Sequence, residues 1–160
     1  MRRRQIIPGP IPQRWLITDD RLGDLDAPIR RLARGSGLLV RQHELAPRQR
    51  ARLLRRLRRL AAARGLTMID EAGGFARRVH DPREIARARL SGAKLLLVSP
   101  VFATRSHPGT RPLPRLRAAA LARLAGKDPI ALGGMNSRRF RAVKPLGFHG
   151  WAAIDAWIRT

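Results

Sequence analysis

Residues 94–157 decide how this chain is read. They run KLLLVSPVFATRSHPG (94–109), then PIALGGMN (129–136), then GFHGWAAIDAW (147–157). Each apolar run breaks into Ser, Pro, Gly, Asn or Asp where a strand would end, and the segments between the runs are helix-like. Repeated strand-then-helix units imply parallel strands with right-handed crossovers, so their polar C-terminal ends gather on one edge. An α/β barrel or a doubly wound sheet builds its ligand site there. The pair Gly133-Gly134 allows backbone N–H groups to approach an anion closely.

Working outward, the same alternation covers the chain. RWLIT (14–18) reads as a strand ending in Asp19-Asp20. A helix follows from Leu25 to Arg34, with Asp26 as its N-cap and Pro28 in its first turn. GLLVR (37–41) is a buried strand, and Pro47 to Arg64 a helix stopped by Gly65. LTMID (66–70) is a third strand before a Gly73-Gly74 turn, and ARRVH (76–80) a fourth. Asp81-Pro82 starts a helix through Leu90. The fifth, sixth and seventh strands are Lys94–Val98, Ile130–Leu132 and Gly150–Ile154, with helices at Pro114–Leu124 and Ser137–Val143. No linker is long enough to divide the 160 residues, so one domain is expected.

Composition excludes several chemistries. The chain has no Cys, which removes disulfides, thiolate metal sites and Cys nucleophiles. No apolar run approaches the ~20 residues of a membrane span. The N-terminus MRRRQIIPGPIP lacks the apolar centre of a secretory signal, so a cytoplasmic location is expected. The formal charge is +23, carried by 31 Arg and only 3 Lys. In RQRARLLRRLRRLAAARG (48–65), Leu53, Leu54, Leu57, Leu60 and Ala61 recur at helical spacing and arginines fill the other faces. That pattern suits a solvated basic helix covering a sheet. A nucleic-acid surface is the less favoured reading, because Tyr is absent and the few Phe and Trp are not interleaved with the basic clusters as stacking platforms.

The order WLITD, GLLVRQ, LTMID, VHDPREI…SGA, LLLVSPVFATRSHPG, IALGGMN and GWAAIDA resembles the thiamine phosphate synthase and thiazole tautomerase (TenI-like) family of TIM barrels. The likeness runs over nearly the whole chain and is densest from Val79 to Asp155. The resemblance implies eight strands, yet Asp70 stands only ten residues before His80. One βα unit, ~35–45 residues in a barrel of this type, is missing. The expectation is therefore a TIM-barrel-like α/β domain with seven parallel strands. In this register the missing strand is the fourth. A second register places Val79-His80 on the fourth strand and loses the fifth, but the helix after His80 favours the first. An edge left open there invites self-pairing into a homodimer.

What the resemblance implies for chemistry is uneven. Arg41 matches the family's pyrophosphate-binding Arg, but Leu39 and His43 stand where Gln and Lys are usual. Asp70 matches a metal-ligand Asp, implying Mg²⁺, although its partner acid lies in the missing unit. Thr104, Arg105 and Ser106 match the loop that holds the thiazole phosphate, with His107 in place of Lys. Gly133, Gly134, Ile154 and Asp155 match the ends of the last two strands, the common phosphate site of such barrels. His80 matches the strand-end His that serves as acid/base in the tautomerase branch, and a neutral imidazole suits that task. Structural alternatives stand beside these roles: Arg41 neutralised by Glu44, Asp70 paired with a neighbouring Arg, and His80 capping the helix beside Asp81-Pro82.

Three functions follow in order. The first is thiamin-biosynthetic, either coupling an aminopyrimidine methyl pyrophosphate to a thiazole phosphate or tautomerising the thiazole. The second is a phosphate-ligand-binding relative without catalysis. The third, distant, is a basic nucleic-acid-binding protein.

Overall fold

A computed structural model describes residue 7 and residues 9–104 and 109–157. Among them lie seven strands: β1 (Arg14–Ile17), β2 (Gly37–Val40), β3 (Thr67–Asp70), β4 (Ala76–Val79), β5 (Leu95–Val98), β6 (Ile130–Leu132) and β7 (Gly150–Ala153). Five helices separate them: α1 (Asp26–Arg30), α2 (Pro47–Ala63), α3 (Pro82–Leu90), α4 (Arg115–Ala125) and α5 (Ser137–Val143). The chain divides into two compact units, one of residues 1–73 and 154–160, the other of residues 74–153.

In the first unit β1, β2 and β3 pair in parallel, with Ile17 opposite Leu39 and Val40 opposite Asp70. Leu16, Leu38 and Val40 share one face, and α1 and α2 cover it with Ile29, Leu54, Leu57 and Ala61. Trp15, Ile17, Leu39 and Ile69 point the other way and are also fully buried. A strand buried on both faces must be apolar throughout, which explains the unbroken GLLV run.

In the second unit β4 to β7 pair in parallel, with Val79 opposite Val98, Val98 opposite Ala131, and Leu132 opposite Ala152. Its core includes Leu95, Leu97 and Val98 from β5, Leu121 and Ala122 from α4, and Phe140 from α5. In both units the parallel register aligns the C-terminal strand ends, which sets out the candidate site.

Local signals explain most element bounds. Asp81 caps α3 by accepting the Glu84 N–H at 2.8 Å, and Glu84 reaches back to the His80 N–H at 2.7 Å, one residue before the position a capping box uses. The helix predicted over 25–34 is shorter, and Asp26 is not its N-cap. Leu25 holds that position, while Asp24 accepts the Asp26 N–H at 2.9 Å and Asp26 pairs with Arg56 at 2.8 Å. Thr18, Arg41, His80 and Ile154, predicted as last strand residues, lie just past the ends.

The step from β3 to β4 bears on the missing unit. Only residues 71–75 separate these strands, too few for the crossover of a dozen or more that neighbouring parallel strands require. Accordingly, among the described residues, β3 bonds to β2 alone and β4 to β5 alone. β4 is protected from stray pairing by its exposed Arg77 and Arg78.

Candidate functional site

At the strand ends of the first unit, charged side chains are tied to one another. Pro47 begins α2 and puts Arg50 in its first turn. From there Arg50 forks onto Asp70, Nη1 to Oδ2 at 3.1 Å and Nη2 to Oδ1 at 2.5 Å, while its Nε donates to the Gln42 carbonyl at 3.1 Å. The Ala72 N–H also donates to Asp70 Oδ1, at 3.1 Å. Burial alone would raise the Asp70 carboxyl, but the Arg50 hydrogen bonds and charge outweigh it and hold the group below its ordinary value. The same hydrogen bonds raise Arg50 above its own.

Beside this pair, Glu71 accepts from Arg41 Nε at 3.2 Å and meets His43 Nε2 at 2.8 Å. Glu71, not Glu44, is thus the partner of Arg41. Behind them lie buried Thr18 and Gln42: the Thr18 hydroxyl donates to the Gln42 amide oxygen and accepts the Arg41 N–H at 2.9 Å. Two carboxylates therefore face two guanidiniums and one imidazole, a nearly self-neutralised set.

This donor set does not fit the magnesium that the resemblance implies. Mg²⁺ requires well-placed carboxylate oxygens with free lone pairs. Both Asp70 oxygens accept from a guanidinium, and no group of three or more His, Asp or Glu able to hold a metal exists among the described residues.

The second unit keeps a different set. His80 follows β4 and Ser99 follows β5, so the register makes them neighbours. His80 Nδ1 lies 2.7 Å from the Ser99 carbonyl oxygen and 3.3 Å from its hydroxyl. A carbonyl only accepts, so Nδ1 carries a proton, and in the neutral ring Nε2 then keeps its lone pair. The His80 side chain is exposed, and the capping role considered for it falls to Asp81.

After β6, Gly133 and Gly134 take positive φ of 98° and 58°. A Cβ on Gly133 would lie 2.9 Å from Pro100 Cα, and one on Gly134 would lie 2.3 Å from the Ala103 carbonyl oxygen. Only glycine fits this packing of turn against loop. The loop is fastened by the Val101 N–H to Leu132 at 2.8 Å and the Phe102 N–H to Gly133 at 3.1 Å.

Thr104 ends the described part of that loop; Arg105, Ser106 and His107 lie outside the described residues. Ile154 and Asp155 belong to the first unit, where Asp155 opens a short 3-10 turn. Sequence reasoning missed Arg139. Asn136 caps α5 through the Arg139 N–H at 2.9 Å, and the Arg139 guanidinium donates to the Gly134 carbonyl and lies 5.1 Å from the Phe102 ring centre. The N-cap signal of Asn136 three residues earlier would have found it.

Comparison with known proteins agrees with this layout. Among solved structures, thiamine phosphate pyrophosphorylase from Pyrococcus furiosus is similar, with a TM-score of 0.75 at 19% identity over 90% of this chain and 86% of that one. The likeness shows the fold, an α/β TIM-barrel-like arrangement of parallel strands and helices. No curated protein sequence matches the chain. The family model described as thiamine monophosphate synthase matches residues 76–157, just over half of the length. With the ends of β4 to β7, the glycine turn and the capped α3 and α5 inside that match, the chain belongs to the thiamine monophosphate synthase family.

Proposed function

We propose that this family member works at the proton-transfer step of thiamin-type chemistry, tautomerising a phosphorylated thiazole, with His80 as acid/base. The observation that carries this reading is the 2.7 Å contact of His80 Nδ1 with the Ser99 carbonyl, which leaves Nε2 as a proton acceptor in an exposed ring. Nε2 takes the proton from one ring position and returns it to another, and no net charge is left behind. The glycine turn at 133–134, Thr104 and Arg139 are suited to hold the substrate phosphate.

Coupling is the weaker reading. It needs cations stabilising a departing pyrophosphate, and here Arg41 and Arg50 are each paired with a carboxylate. The same pairing favours, as second reading, a relative that binds a phosphate ligand without catalysis. Incubation of the thiazole carboxylate phosphate with protein in deuterated buffer separates them. Tautomerisation exchanges ring protons with solvent and His80→Gln abolishes the exchange. Ligand binding with no exchange in the wild type selects the second reading.

A further inference from the structure

The arginines of α2 and its C-cap Arg64 fall into two groups, apart from Arg58, whose charge acts on Asp70. Arg50, Arg56 and Arg64 are engaged, with Asp70, Asp26 and the carbonyls of Arg30 and Leu32. Arg48, Arg52, Arg55 and Arg59 are exposed, and none has a hydrogen-bond or ion-pair partner among the described residues. Their spacing of four, three and four residues puts them in one row along the helix, ~16 Å long at 1.5 Å per residue. α2 contains no acidic residue to relieve them, so neighbouring guanidiniums in the row repel. Folding gains nothing from the row.

We propose that this face of α2 docks the phosphate backbone of duplex nucleic acid. A row of guanidiniums one helical turn apart suits a strand of phosphates, and Arg grips phosphate oxygens bidentately where Lys offers a point charge. The face has no aromatic residue, which argues against stacking on single strands but not against backbone contact, which uses charge alone. It is equally unsuited to lipid. Leu54 and Leu57 are buried, Leu53 and Leu60 pack against the core, and the exposed residues of α2 are Pro47, Gln49, arginines and alanines. Binding here is sequence-independent and does not require Arg50, which is held by Asp70.

The test measures binding of the whole protein to an arbitrary DNA duplex by fluorescence anisotropy while salt is raised. Each phosphate contact contributes about −0.9 to the slope of log K against log salt, so four contribute about −3.6. The triple variant Arg52→Ala, Arg55→Ala, Arg59→Ala is expected to flatten the slope by about 2.7. Ala matches Arg in helix propensity, so α2 persists. A control, Arg117→Ala, Arg123→Ala, Arg138→Ala, removes equal charge from exposed positions of α4 and α5 and is expected to keep the slope. Equal flattening in both variants would mean diffuse charge and overturn the proposal. So would the absence of duplex binding at low salt, or binding to phosphatidylserine vesicles at salt where the duplex is released.

Discussion

Arg50 grips both carboxylate oxygens of Asp70, at 3.1 and 2.5 Å, in a pair whose side chains are 16% and 18% exposed. A guanidinium thus sits on the carboxylate that the family resemblance assigns to a metal. Breaking a pair at this depth costs more than a surface ion pair and less than a fully buried one, about 1–2 kcal/mol. Arg50→Ala and Asp70→Asn are each expected to lower stability by that amount in urea melts. The double variant should lose little more than either single one, because both remove the same interaction.

The pair also fixes an acid limit. Asp70 titrates below its ordinary value of 3.8 when folded, so its contribution is present above that pH and fades as pH falls through the lower folded value. The Asp70 hydrogen bonds raise Arg50 above its ordinary value, so its side of the pair persists through acid and neutral pH and is lost only in strong alkali. Wild-type stability should therefore fall more steeply below about pH 4 than that of Asp70→Asn, with the two curves converging in acid. Parallel curves from pH 7 to pH 2 would refute this.

Arg50 occupies both Asp70 oxygens, so this carboxylate is not open to magnesium in the wild type. A ligand at a hundred times its Kd stabilises by about 2.7 kcal/mol, which moves a domain of this size by several degrees. Millimolar Mg²⁺ is expected to leave the melting temperature unchanged beyond the effect of matched ionic strength. A clear rise that disappears in Asp70→Asn would show that the metal displaces Arg50.

Much of the fold was legible because strand ends and helix starts are written in local chemistry. GLLV, LLLV and the Asp81-Pro82 cap define their elements without help from the rest of the chain. The site was legible only in type. The sequence placed Asp70, Arg41 and His80 at strand ends, but pairing is a property of three dimensions. Nothing in the string says that Arg50, in the first turn of α2, meets Asp70 at the end of β3, or that Glu71 outcompetes Glu44 for Arg41. The short α1 escaped for a related reason: two acidic residues near its start compete, and Asp24 takes the N–H that Asp26 was expected to cap.

Two glycines give a contrasting stability test. Gly37 has ordinary backbone angles, but a Cβ there would lie 2.2–2.5 Å from the buried Trp15 ring, whose Nε1 is fixed to the Pro12 carbonyl at 2.6 Å. Gly37→Ala forces the indole aside and is expected to cost about 1–3 kcal/mol. Gly134→Ala meets both a left-handed backbone and a fixed carbonyl oxygen, and should cost about the same. The second substitution should also weaken phosphate binding measured by calorimetry, whereas Gly37→Ala should leave that binding intact.

The proposed acid/base rests on a tautomer, and that can be observed without substrate. A histidine side chain free in water prefers the proton on Nε2. In this chain the Ser99 carbonyl, 2.7 Å from Nδ1, holds it on the other nitrogen. Nitrogen-15 spectra of the wild type at alkaline pH, assigned by comparison with His80→Gln, should show His80 with protonated Nδ1 and bare Nε2. Ser99→Ala removes the hydroxyl at 3.3 Å but keeps the carbonyl, so the tautomer and the proton exchange should both survive. If His80 instead carries its proton on Nε2, the ring cannot accept a proton from substrate at that nitrogen. The tautomerase reading then fails while the fold and family stand.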